Sequence, residues 1–145
     1  MPKIELWKNR DKRVVDPRLF SSLAENFAKD LARDNRQNSK MNKRTQLRKF
    51  YDEVLRLDME ARGQKDEKED QWHRILPLVH MLTAKAAYAK GRKLVSDTFL
   101  NFIKESVEQI KDPEDLSVFA SFFEAVMGFY RYYGCLLYTS PSPRD

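Results

Sequence analysis

The sequence is poor in the residues that form disulfides, tight turns and membrane spans. Its 145 residues include one cysteine, Cys135, and four glycines. One cysteine cannot form a disulfide within the chain, which favours a reducing cytoplasm. No apolar run approaches the roughly 20 residues that a membrane-spanning helix needs, and no apolar signal segment follows Met1. We therefore expect a single cytoplasmic domain that makes no contact with a membrane.

Negative charge is also missing from two long stretches, residues 35–51 and residues 71–96. Their basic residues are Arg36, Lys40, Lys43, Arg44, Arg48 and Lys49 in the first, and Arg74, Lys85, Lys90, Arg92 and Lys93 in the second. Residues 1–50 carry 14 basic and 6 acidic side chains, whereas residues 94–134 carry 3 and 7. Such segregation gives a surface a one-sided field that attracts phosphate. The acidic C-terminal half is better suited to a protein partner.

Strand signals are absent, because no segment alternates with period two and no hairpin dipeptide occurs. Apolar residues recur instead at helical spacing, which predicts five helices. The predicted helices run from Pro17 to about Arg33, from Asn42 or Lys43 to about Gly63, from Pro77 to Gly91, from a Ser96 cap onwards, and from Asp112-Pro113 onwards. Residues 34–41 have a loop's composition, and residues 64–70 form a charged connection or the start of the third helix. The fold class is therefore all-α, a single compact bundle of about five helices over residues 16–134.

The two ends of the chain differ from the bundle in composition. Residues 1–15 are polar, basic and aperiodic, which predicts a flexible arm. Residues 135–145 break the helical pattern after Gly134 and match one translated frame of a sequencing adapter. We interpret them as a non-native tail without an evolved role; the alternative is a natural Pro/Ser-rich tail.

No catalytic or metal-binding pattern is present in the sequence. His73 and His80 are seven residues apart with no acid between them, and phosphate-binding glycine loops are missing. The four acids of residues 66–70 lie together with Lys65 and Lys68, which is typical of a solvated surface. We therefore predict no enzyme activity, no metal and no cofactor.

The basic residues of the second and third helices form two candidate ridges. Arg44 and Arg48 are four residues apart and therefore neighbours. Lys85, Tyr88 and Arg92 form a basic row that contains an aromatic ring. Such side chains contact phosphate and ribose without reading bases. The same charges could instead form intrahelical ion pairs, each worth only about 0.2–0.5 kcal/mol, so charge alone leaves both interpretations open.

Three strings resemble the small α-helical subunit of the type III-A CRISPR interference (Csm) complex. They are Thr45-Gln46-Leu47-Arg48-Lys49-Phe50-Tyr51, Lys85-Ala86-Ala87-Tyr88-Ala89-Lys90-Gly91-Arg92-Lys93, and the segment from Phe119 to Val126. Their order and spacing fit the family over roughly residues 18–133.

The resemblance implies a non-catalytic subunit that binds the duplex of guide RNA and target RNA and assembles with other subunits and with copies of itself. Target and DNA cleavage belong to other subunits of that complex. Sequence recognition is then left to base pairing, as in RNA-guided DNA effectors. The predicted RNA-binding residues are Lys43, Arg44, Gln46, Arg48, Lys49, Lys85, Tyr88, Lys90, Arg92 and Lys93.

Two other functions compete with this one. A helical adaptor would use the same basic surfaces to bind an acidic protein. A small metal-dependent nuclease would use His73 and His80, and this is the least favoured alternative. Whether the two ridges share one face cannot be decided from the sequence.

Overall fold

The computed structural model describes residues 4–63 and 68–139, which form five α-helices and one short 3-10 helix. A short 3-10 helix, Pro17–Phe20, precedes α1 (Ser22–Gln37), α2 (Arg44–Gly63), α3 (Lys68–Gly91), α4 (Asp97–Val107) and α5 (Pro113–Thr139). Helix α5 packs along both α1 and α2, while α3 packs against α2 and α4. Within the described residues there is no strand, only one antiparallel bridge between Asn9 and Val14. The predicted fold class, an all-α bundle of about five helices, is confirmed.

An aromatic cluster forms the centre of the bundle. Phe102 of α4 lies 5.6 Å from Phe27 of α1 and 5.1 Å from Phe123 of α5, measured between ring centroids. The rings of Phe99, Phe119 and Phe122 also pack within 6 Å of Phe102. Tilted and edge-on pairs of this kind each add about 0.5–1.5 kcal/mol beyond the area they bury. The cluster therefore joins α1, α4 and α5 into one core.

The two Asp-Pro pairs begin helices as predicted, although the first has an unexpected geometry. Asp16 Oδ1 accepts a hydrogen bond from the Arg18 amide at 3.0 Å, but the turn that follows is 3-10 and α1 begins only at Ser22. Asp112 Oδ1 accepts from the Asp115 amide at 3.0 Å at the start of α5. Both side chains therefore satisfy amides that lack a partner in the first turn.

Two predicted helix boundaries are wrong. Helix α1 continues to Gln37, into the segment expected to be a loop, because Asn35 is buried on its inner face and donates to Met41 O at 2.8 Å. Helix α3 does not begin at Pro77, which lies inside it. Proline removes one backbone hydrogen bond, but Trp72 and Ile75 before it are buried in the same core as Val79 after it. Burial on both sides of the proline keeps the helix continuous.

Residues 4–15 differ from the flexible arm expected for residues 1–15. Ile4 and Leu6 are buried in the main core. The Leu6 amide donates to Gln109 Oε1 at 2.9 Å, and Gln109 Nε2 donates back to Ile4 O at 2.7 Å. The composition of the segment is polar, but its two buried aliphatic side chains lie in the core and its amides find partners at the end of α4.

A buried carboxylate fixes the same segment to the start of α5. Asp115 Oδ1 accepts from Trp7 Nε1 at 2.6 Å and from Arg10 Nη1 at 3.0 Å, while Asp115 Oδ2 accepts from the Lys111 amide at 2.8 Å. The side chain of Asp115 is fully buried. Since buried charges require partners, these bonds hold the N-terminal segment in place.

Some predictions fall partly outside the described residues. Helix α5 continues to Thr139, so residues 135–139 of the interpreted tail are helical, and residues 140–145 lie outside the described part. The non-native origin of this tail stays a prediction. Residues 64–67 of the charged connection are likewise outside it, and residues 68–70 belong to α3. Among the helices described, none is long and apolar enough to cross a membrane.

Candidate nucleic-acid interface

A groove between α2 and α3 brings part of both predicted ridges together. It has a volume of about 550 Å³. Gln46 and Lys49 line it from the first turns of α2, Lys85 and Tyr88 from the last turns of α3, and Arg92 from the residue that follows α3. Helix positions three or four residues apart share a face, so each helix presents these side chains as one row. Five of the ten predicted site residues therefore line a single surface.

The floor of the groove is apolar. Phe50 of α2 and Leu82 and Ala89 of α3 contribute buried side chains, and Leu94 closes one end. Met81 lies on the rim with 48% of its surface exposed. A purely electrostatic phosphate site needs no such floor, so the groove can also accommodate an apolar or aromatic group.

One acid, Glu53, lines the groove among these cations. Its carboxylate accepts from Arg56 Nη2 at 2.8 Å and from Arg56 Nε at 3.2 Å, and Lys85 Nζ lies 3.8 Å away. The hydrogen bonds with Arg56 lower the pKa of Glu53 below its usual value, against the opposing effect of partial burial. The charge of Glu53 is therefore balanced by its neighbours, and the groove keeps an excess of positive charge.

Tyr88 is the most exposed large apolar side chain on the groove, with 67% of its surface accessible. The Arg92 guanidinium carbon lies 5.8 Å from the centroid of the Tyr88 ring, within range of a cation–π contact. The ring and the guanidinium form a surface on which a planar group can stack.

Arg44 and Arg48 lie on the other flank of α2. Arg48 lies over the Tyr51 ring at 6.0 Å, and Tyr51 packs on Phe123 of α5 at 5.4 Å. The Arg48 side chain also pairs with Asp52 at 3.5 Å, and both side chains are well exposed. A single basic ridge along α2 was expected, but the basic residues of α2 lie on two flanks, one facing α3 and the other facing α5.

The remaining three predicted residues surround the ends of the two helices. The carbonyl of Lys43 accepts from the Gln46 amide at 2.9 Å at the start of α2, and the Lys43 side chain is exposed. Lys90 lies toward α4, where its Nζ is 3.6 Å from Asp97. Lys93 is exposed just after α3 and has a positive φ of 64°. That all ten residues bind RNA stays a prediction.

The sequence analysis missed Asn42, which joins the two helices that form the groove. Asn42 is fully buried with a φ of 60°. The backbone N–H of Asn42 donates to Leu94 O at 2.8 Å, so the chain at the start of α2 is bonded to the chain just after α3. The Asn42 carbonyl accepts a hydrogen bond from the Tyr130 hydroxyl of α5. Asparagine tolerates positive φ better than most residues, but nothing in the sequence pattern marks this one as buried.

The Asn42 side chain also corrects the predicted role of Ser96. Ser96 lies at the cap position of α4, but its hydroxyl makes no capping hydrogen bond with that helix. Instead Asn42 Nδ2 donates to Ser96 Oγ at 2.9 Å, and the Ser96 amide donates to Asn42 Oδ1 at 2.9 Å. The Ser96 hydroxyl therefore links the start of α2 with the start of α4.

His73 and His80 are both exposed on α3. In the described part of the chain, no group of three His, Cys, Asp or Glu side chains could hold a metal ion. The two histidines therefore have no further ligand there with which to build a metal centre.

One comparison with known families decides the family of this chain. A family model described as Csm2 Type III-A matches residues 15–135. The chain belongs to the Csm2 family. The match confirms the resemblance to the small subunit of the type III-A CRISPR complex, and it includes the whole groove between α2 and α3. No curated protein and no solved structure matches the chain.

Membership in the Csm2 family makes the chain a small subunit of a type III-A CRISPR effector complex. The matched range contains both acid-free stretches and the helices that carry them, α2 and α3. The basic groove is therefore part of the family's own domain rather than of an added segment.

Proposed function

We propose that the chain is a non-catalytic, cytoplasmic subunit that binds the guide–target RNA duplex through its sugar–phosphate backbone. The observation that supports this most is the groove, where Lys49, Lys85 and Arg92 come together from two helices. The one acid that lines the groove with them, Glu53, is already paired with Arg56. Cations arranged in this way attract phosphate irrespective of sequence, which suits an RNA whose sequence varies.

Protein contacts are assigned to the other half of the chain. Residues 94–134 carry more acidic than basic side chains and so repel phosphate. We propose that this half, mainly α4 and α5, contacts other subunits of the complex and neighbouring copies of the chain. The basic flank of α2 around Arg48 is a second place where RNA could make contact.

The proposal is tested by measuring the affinity of the full chain for a guide–target RNA duplex by fluorescence anisotropy across a salt series. The test variant combines Lys49→Ala, Lys85→Ala and Arg92→Ala. Each phosphate contact that is lost should weaken the dependence of log Kd on log salt by about one unit. The matched control is Lys104→Ala, an exposed lysine on α4, which should change neither the affinity nor the slope.

A second variant, Arg44→Ala with Arg48→Ala, separates the two flanks of α2. If it weakens binding and the groove variant does not, RNA lies on the α5 side and the groove assignment is wrong. No RNA binding by the unaltered chain, combined with capture of an acidic protein after nuclease treatment, favours the adaptor function. RNA degradation in Mg²⁺ that disappears when His73 and His80 are replaced would show that the subunit is catalytic.

A further inference from the structure

The groove between α2 and α3 has a shape that phosphate binding alone does not require. Its volume of about 550 Å³ lies within the roughly 300–1,000 Å³ typical of sites for small molecules. Exposed lysines on a convex helix are sufficient to contact a duplex backbone. A concave site with a buried floor of Phe50, Leu82 and Ala89 suits a ligand that enters it.

The chemistry of the walls matches a nucleotide. Tyr88 offers an exposed ring beside the Arg92 guanidinium, and both aromatic rings and guanidinium planes stack on unpaired bases. The side-chain amide of Gln46, on the opposite wall, can both donate and accept hydrogen bonds at the edge of a base. Lys49 and Lys85 lie on the same walls, where they can pair with the phosphates on either side.

We propose that this groove binds one unpaired RNA nucleotide, whose base stacks on Tyr88 while the neighbouring phosphates contact Lys49 and Lys85. The inference rests on the proposed RNA-binding function and adds to it a site for a base outside the duplex. Charge complementarity favours RNA, because Glu53 is neutralised by Arg56 and the remaining ionised groups are cations. A protein helix would dock through apolar anchors, whereas the walls of this groove also carry Lys49, Lys85 and Arg92.

The test compares three RNA duplexes of the same sequence with the full chain. One is fully paired, one carries a single unpaired adenosine, and one carries an abasic residue at the same place. The unaltered chain should bind the duplex with the unpaired base about tenfold more tightly than the abasic one, since stacking of one base on an aromatic residue is worth about that factor. Fluorescence of 2-aminopurine at the unpaired position should be quenched on binding.

Variants of one side chain locate the base. Tyr88→Ala should remove both the preference for the unpaired base over the abasic residue and the quenching of 2-aminopurine. Tyr88→Phe should retain both. Tyr132→Ala, which removes another exposed tyrosine on α5, is the matched control and should change nothing.

Several results would overturn the inference. Equal affinity of the unaltered chain for the unpaired-base and abasic duplexes would refute it while leaving duplex binding intact. Failure to bind any of the three RNAs would instead refute the proposed function itself. If Tyr88→Ala prevents assembly with the other subunits but does not alter the RNA preference, the groove holds a protein.

Discussion

Replacing Asn42 should destabilise the protein more than any other single change in a connecting segment. The Asn42 side chain makes three buried hydrogen bonds, to Leu31 O at 3.2 Å and to Ser96 Oγ and the Ser96 amide, both at 2.9 Å. Truncation to alanine removes all three and leaves the buried Ser96 amide without this acceptor. The perturbation is therefore a loss of hydrogen bonds rather than of apolar packing.

The expected loss of stability can be estimated from these contacts. A buried donor left without an acceptor costs about 1–3 kcal/mol, and each of the other two bonds contributes about 1 kcal/mol. Alanine at the positive φ of Asn42 adds about 1–2 kcal/mol of backbone strain. We expect Asn42→Ala to lower the free energy of unfolding by about 4–7 kcal/mol, a large part of the roughly 5–15 kcal/mol of a typical domain. Asn42→Gly avoids the strain and should cost about 3–5 kcal/mol.

Urea unfolding followed by circular dichroism measures these changes. Asn38→Ala is the matched control, because Asn38 belongs to the same connection but is exposed, with one hydrogen bond to the Lys40 amide at 3.1 Å. It should cost less than about 1 kcal/mol. If Asn42→Ala costs no more than Asn38→Ala, then the buried hydrogen bonds do not stabilise the junction of α2 with α4, and the estimate fails.

Two further predictions concern groups at the ends of α5. Tyr133 donates a hydrogen bond to the Glu25 carboxylate of α1, which raises the pKa of Tyr133 to about 12. This bond stabilises the fold below pH 10 and is lost as the pH rises through about 12, so ultraviolet titration should show a late tyrosinate that Tyr133→Phe removes; an unchanged titration curve would contradict it. At the other end, Asp115→Ala should lower the free energy of unfolding by about 3 kcal/mol, because it leaves the Trp7 indole N–H and Arg10 without their acceptor. Arg10→Ala should cost less than about 1 kcal/mol, since Arg10 is partly exposed, and equal losses in urea unfolding would refute this ranking.

The helices could be predicted from local patterns because those patterns reflect burial on one face. The pair Asp112-Pro113 begins α5 as expected, since both residues act within a single turn. Pro77 misled the prediction, because its local effect is overridden by buried residues on both sides of it. The packing of residues 4–15 could not be predicted either, because two buried side chains, Ile4 and Leu6, are too few to produce a periodic signal.

The candidate site could be predicted only in part, because a helical pattern separates outside from inside but not one flank from the other. The sequence placed Lys49 and Arg48 together on the outside of α2. In the structure Lys49 lies on the α3 side, while Arg48 lies toward Tyr51 and α5. Which neighbour covers each flank depends on the packing of distant helices. The burial of Asn42 is still harder to predict, since its partners Leu31 and Ser96 lie 11 and 54 residues away and no local pattern connects them.

The meeting of the two acid-free stretches follows from the direction of the chain. Helices α2 and α3 run antiparallel, since the Asn42 amide at the start of α2 bonds to Leu94 O after α3, whereas Glu53 further along α2 lies beside the earlier Lys85. The first stretch occupies the start of α2, and the basic cluster of the second occupies the end of α3. An antiparallel pair necessarily places these two ends side by side. Residues more than 30 positions apart in the sequence therefore form one basic groove, in which the acid-free stretches contribute only cations and the one lining acid, Glu53, is paired with Arg56.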